Sequence, residues 1–207
     1  MVTNLSSGII TFLFNLAMMH FAGEDGVAAI TIIQYSQFLL NALFMGFSQG
    51  VSPVISFNYG ADKYDRIKTA IRFMAVSCIV YTTAIWGILH LFPVFFIHIF
   101  NTQADLVEAA VPSMQIYYFG FFMMSLQFSG QTVFQALGKA KYAIFFSVLR
   151  KVVIVAPLTI LLPRWITPAV NGVFLAEPIS NFIGGTACFV TMLIVVRKEL
   201  KMAEQKE

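Results

Sequence analysis

Apolar positions along this chain come in long runs. Six stretches stand out, at about 4–22, 26–57, 66–91, 106–137, 141–162 and 172–196. A helix needs roughly 20 mostly apolar residues to cross a bilayer, and each run is about that long or longer. Those at 26–57 and 106–137 exceed one bilayer thickness, so they must tilt or project. Polar breaks separate the runs: Ala22–Gly26, Gly60–Lys63, Asn101–Gln103, Gly138–Lys141 and the segment from Pro163 to Gly172. The pattern predicts an all-α membrane protein, six transmembrane helices in sequential antiparallel order, with residues 197–207 as a cytoplasmic tail.

The polar residues inside the runs fall on stripes. At the angular step of an α-helix, Gln34, Gln37, Asn41, Met45, Ser48 and Ser52 share an arc of about 80°. Asn4, Ser7, Gly8, Thr11 and Asn15 share one face of the first helix. Glu177, Ser180, Asn181, Gly184, Cys188 and Thr191 share one face of the last. The fourth helix has two such faces: Tyr117, Gly120, Met124, Gln127, Gln131 and Gln135 on one, and Gln115, Tyr118, Ser125, Ser129 and Thr132 on the other. The third and fifth runs are mostly aliphatic and aromatic. Polar groups facing lipid are costly, so the stripes face inward. They serve either helix packing or a wet cavity. For the larger Asn15, Gln34, Asn41 and Gln127 the cavity is the reading taken here. Tyr35, Tyr117 and Tyr118 are placed to stack on an aromatic or cationic guest. The cavity candidates are therefore Asn15, Gln34, Gln37, Asn41, Ser48, Tyr117, Met124, Gln127 and Gln131.

Composition and charge sharpen this. Only 11% of the 207 residues are charged and 58% are hydrophobic, against about 25% charged in soluble domains. The opening MVTNLSSGIITF has neither a positive region nor a small-residue cleavage site, and is read as helix and not as a secretory leader. With the six runs alternating, Lys63, Arg66, Lys68, Arg72, Lys139, Lys141, Arg150, Lys151, Arg197, Lys198, Lys201 and Lys206 fall on one side and only Arg164 on the other. That 12-to-1 split predicts both termini in the cytoplasm of a multi-pass plasma-membrane protein. Cys78 and Cys188 lie inside apolar runs and read as small core residues. His20, His90 and His98 lie near the outer interface and do not cluster with other ligand side chains, so no metal site is expected. Nothing forms a nucleophile–base pair, so enzyme chemistry is not expected, and nothing points to nucleic acid.

Two residues invite a more specific reading. Pro53 removes a backbone donor from an apolar helix, which makes it a kink and a hinge candidate. Glu177 is a candidate for ion coupling, or simply occupies the positive end of a helix beginning near Pro178.

The stretch GFSQGVSP followed by NYGADKY, from Gly46 to Tyr64, resembles the helix and cytoplasmic loop of multidrug and toxic compound extrusion (MATE) transporters. So do Thr132 to Pro163 and the opening LSSGIITFLFN with GEDGVAA. The resemblance implies the second six-helix lobe of a two-lobe antiporter that exports organic, often cationic, compounds in exchange for Na+ or H+, with no other cofactor. It further implies a partner, a first six-helix lobe or a second copy of this chain. One branch of that family couples through a carboxylate in the first helix of this lobe. Here GIITFLFNLAMM has no Asp or Glu. Another branch uses an aspartate of the first lobe. The alternatives are a lipid-linked saccharide flippase of the same superfamily, whose cavity usually carries several Arg or Lys, and a membrane half-module that does not transport.

Overall fold

The computed structural model describes the backbone of residues 2–204, and side chains at 6–104, 106–108, 110–199. Asn4, Lys201 and Lys206 lie outside the described side chains. The described residues are helical with no strand. Helix α1 runs Val2–Gly60 and breaks at Gly23, where φ is 63° and ψ −150°. Essentially only glycine occupies that region. A five-residue connection was expected here, and the chain turns on this one residue.

Helix α2 spans Tyr64–Leu91 and the short α3 Pro93–His98. Helices α4 (Ala104–Tyr118) and α5 (Met124–Ala136) are separated by a 3-10 turn at Phe121–Met123. Helix α6 (Ala140–Val148) continues through a π-helical segment, Leu149–Val155, into α7 (Ala156–Leu161). Helix α8 (Ala169–Ser180) passes through a second π-helical segment, Asn181–Gly185, into α9 (Thr186–Glu204). The expected tail is thus helical as far as Glu204. Among the described residues, four continuous segments are long and apolar enough to cross a membrane: Ser6–Gly60, Tyr64–Leu91, Ala140–Arg164 and Ala169–Glu199. The first holds 55 residues on the two sides of Gly23.

Two turns share one mechanism. After α5, Gly138 has φ 72°. Lys139 N–H donates to Phe134 C=O at 2.7 Å, and Gly138 N–H to Gln135 C=O at 3.0 Å. After α1, Asp62 has φ 54°, Lys63 N–H donates to Asn58 C=O at 2.9 Å and Asp62 N–H to Tyr59 C=O at 3.3 Å. Both are Schellman caps, which meet the last carbonyls of a helix from within the chain.

Helix α5 sits centrally, packed on α1, α2, α6 and α9, while α4 packs on α1 and α8. The core is aliphatic and aromatic, with Phe44 stacked on Phe128 at 5.0 Å. Cys78 and Cys188 are buried in it. The outer surface carries Phe12, Leu16, Phe57, Phe73, Val80, Phe95 and other large apolar side chains. Such a belt cannot face water and suits lipid.

The described ends of three elements meet at one pole. Glu199 of α9 accepts Lys139 Nζ at 2.7 Å and Tyr59 Oη at 3.0 Å. Lys139 sits in the α5–α6 turn, and its bond to Glu199 holds the ammonium above the usual lysine range.

Candidate functional site

The inner face of α1 beyond Gly23 meets α5, the start of α1 and the α6 π-helical segment around a cavity of about 440 Å³. Its wall holds Gln34, Gln37, Asn41, Met45 and Ser48 from one stripe, and Tyr117, Met124, Gln127, Gln131 and Gln135 from another. Ser7, Thr11 and Phe14 close one side. Phe38 and Met45 also line it, yet are 69% and 52% exposed, so the cavity opens outward at this rim.

Eight of the nine cavity candidates line it, and Asn15 does not. The Asn15 amide donates to Thr11 C=O at 2.9 Å. Tyr35 is 64% exposed and outside the lining, and Tyr118 is buried, bonded to Ser36 at 2.7 Å and Ile33 C=O at 3.0 Å. Gly120 packs on Pro178, where a β-carbon would lie 3.0 Å from its Cα. The ring of Pro53 is exposed, and the backbone through it stays helical.

Part of the wall is internally bonded. Tyr117 Oη donates to Gln37 Oε1 at 2.8 Å, and Gln37 Nε2 approaches Met124 Sδ at 3.8 Å. Other polar atoms are not bonded. Asn41 Oδ1, Ser48 Oγ and Gln127 Oε1 are buried without a protein partner. A buried unsatisfied polar group costs about 1–3 kcal/mol, so the three leave unmet hydrogen-bonding capacity around one cavity.

The charges lining the cavity were not expected there. The sequence places Arg150 and Lys151 within the spans, near the cytoplasmic end, and counts them in the 12-to-1 split. The structure sets both in the cavity wall. The Arg150 side chain is 8% exposed and Lys151 16%. Arg150 Nη1 donates to Glu177 Oε1 at 3.1 Å and to Asn181 Oδ1. Lys151 Nζ is 3.6 Å from the same Glu177 oxygen. Glu177 is fully buried. It lies in the third turn of α8, which begins at Ala169, so the reading of Glu177 at a helix N-terminus falls.

Both π-helical segments meet at this cluster. Arg150 and Lys151 belong to Leu149–Val155, and Asn181 opens Asn181–Gly185. The Arg150 stem crosses Gly184, where a β-carbon would come within 3.0 Å of its Cγ. Wider π winding brings consecutive residues closer to one face, so both cations turn inward, and such insertions are frequent at functional sites. A count along the helix would have found the pair. Arg150 is ten residues past Ala140, about 15 Å at 1.5 Å per residue, half the depth of a hydrocarbon core.

A family model described as MatE matches residues 1–161. The multidrug export protein MepA of Staphylococcus aureus is 26% identical over 161 residues, 74% of this chain and 34% of its own length. MepA of Staphylococcus saprophyticus is 24% identical over 202 residues, 92% of this chain and 40% of its own. Among solved structures, a MATE transporter in its bent conformation superposes with TM-score 0.91 at 17% identity, over 98% of this chain and 45% of that one. A MOP-superfamily transporter from Pyrococcus furiosus, described as having reversed polarity in its binding pocket, gives 0.87 at 17%, over 96% of this chain and 44% of that one. The chain spans less than half the length of these relatives.

Proposed function

The chain belongs to the MatE family of transporters, and from that premise we propose that it forms one lobe of a two-lobe multidrug efflux antiporter, with its cavity facing a second lobe. The guests are organic drug-like compounds, and the exchanged ion is Na+ or H+. The observation that carries the reading is the polar cavity itself: about 440 Å³, open at Phe38 and Met45, with Asn41, Ser48 and Gln127 presenting buried polar atoms that no protein group meets. Alternating access needs two bodies moving about a fixed site, and the second is either a first lobe or another copy of this chain.

The flippase alternative gains Arg150 and Lys151 as cavity residues. Glu177 offsets one of them, which leaves a single net positive charge opposite a pyrophosphate that carries more than one. Efflux is the better match. To test it, efflux of ethidium (cationic) and of dansylglycine (anionic) is measured from cells making this chain alone, and from cells making it joined to the first lobe of a MatE relative, export of either counting as transport. The joined protein should export and the lone chain should not. Export by a monomeric lone chain would contradict the two-lobe reading, and silence of both would favour a half-module that does not transport.

For orientation we propose a cytoplasmic pole at Lys63, Lys139 and both termini. With Arg150 and Lys151 withdrawn, ten basic residues stand against Arg164, still a strong asymmetry. The Lys139–Glu199–Tyr59 contact, which gathers three basic segments at one pole, agrees with it. In a background lacking Cys78 and Cys188, single cysteines at 25, 103 and 164 should label from outside with an impermeant reagent. A cysteine at 63 that labels from outside would invert the topology.

A further inference from the structure

We propose that the cavity floor receives the anionic head of its guest: a carboxylate-bearing organic molecule docks its head on Lys151 and Arg150 and its apolar body against Phe14, Phe38 and Phe128. This rests on the cavity being the guest site and adds the polarity of that site.

Arg150 and Lys151 are the charged side chains among the described residues lining the cavity. Glu177 is the carboxylate against them, so two cations meet one anion and leave one positive charge. In a bilayer interior that excess is poorly screened and attracts an anion strongly.

Arg150 and Lys151 line the cavity, whereas Glu177 does not and is fully buried. A guest entering from the Phe38 and Met45 rim therefore meets the cations before the carboxylate. Lys151 is under-used by the protein. Its Nζ stands 3.6 Å from Glu177 Oε1, beyond good hydrogen-bond length, and that oxygen already accepts Arg150 Nη1. Arg150 Nε also has no acceptor.

Rigidity makes this a site and not a loose charge. Arg150 is held by Asn181 and by its stem on Gly184, and the two π-helical segments fix both cations toward one face. Phe14, Phe38 and Phe128 in the same wall give an apolar guest body its surface.

The test uses the purified chain in detergent and three fluorescent probes that share one aromatic body: dansylglycine (anionic), dansylglycinamide (neutral) and dansylcadaverine (cationic). Dansylglycine should bind about tenfold or more tighter than the amide, as a charge-assisted hydrogen bond provides. Lys151→Met should erase that preference, and Lys151→Arg should keep it. The comparison of probes on the unaltered chain stands even if Lys151→Met does not fold. If the neutral or cationic probe binds as tightly as dansylglycine and Asn41→Leu weakens that binding, the cavity is the guest site and the anion subsite is wrong. If no probe binds, both readings fall.

Discussion

Two clusters of similar chemistry sit at different depths of this bundle. At the pole, Glu199 takes Lys139 at 2.7 Å and Tyr59 at 3.0 Å, with the ion pair's side chains 20% and 28% exposed. Beside the cavity, Glu177 takes Arg150 at 3.1 Å and stands 3.6 Å from Lys151, itself fully buried. The polar cluster balances one cation with one carboxylate at good length. The cavity cluster carries an extra cation and one long contact. An accessible pair contributes about 0.2–1 kcal/mol, whereas burying ions costs several kcal/mol each, and well-packed apolar residues would often serve stability better. The pole cluster reads as a clamp. On the proposed anion subsite, the cavity cluster is there for what it binds.

The sharpest way to break this contrast is to remove Glu177. Glu177→Gln leaves two buried cations without their carboxylate and should lower stability by about 3–5 kcal/mol, read as unfolding in detergent. Replacing Arg150, Lys151 and Glu177 together by leucine should recover most of that loss. If Glu177→Gln unfolds like the unaltered chain, another group balances the cations and the comparison fails.

At the pole the effect should be much smaller. Lys139→Ala should cost no more than about 1 kcal/mol in the same assay. Because the Lys139 ammonium is held above its ordinary value of 10.5, its contribution is fully present below that value and is lost only as pH rises through the higher folded value. The difference between Lys139→Ala and the unaltered chain should therefore stay flat between about pH 6 and 9. A loss as large as that of Glu177→Gln would show the two clusters to be equivalent.

How legible all this was varied by residue. The stripe from Gln34 to Ser48 was readable because large polar side chains recur at helical spacing inside an apolar run, and the structure lines one cavity with it. Thr11 and Ser7 line it too, while Asn15, one turn on from Thr11, spends its amide on its own helix. Rotational position marks a face and does not say which turn of that face reaches the cavity. Gly23 was visible within a polar break, but a reversal on one residue depends on φ and ψ. Arg150 and Lys151 lie near the middle of the run at 141–162, and the positive-inside rule, which counts sides and not depths, carries no sign that they reach the cavity. The π-helical segments that turn both inward leave no signature in apolar periodicity.

On the proposed function, the stripe on α1 lines a guest cavity and is not a packing seam. Asn41 tests it most directly, since its Oδ1 is buried in the lining without a partner. The measurement is a resistance profile over cationic, neutral and anionic compounds for Asn41→Leu in a two-lobe protein carrying this chain, beside protein level and unfolding in detergent. Resistance should change unequally among compounds with no loss of stability, since Asn41 Oδ1 has no protein partner to lose, whereas a side chain that only bonded another helix would cost roughly 0.6 kcal/mol and leave the compound pattern alone. If resistance to every compound falls in proportion to lost protein, the stripe is a packing seam and the cavity assignment is wrong.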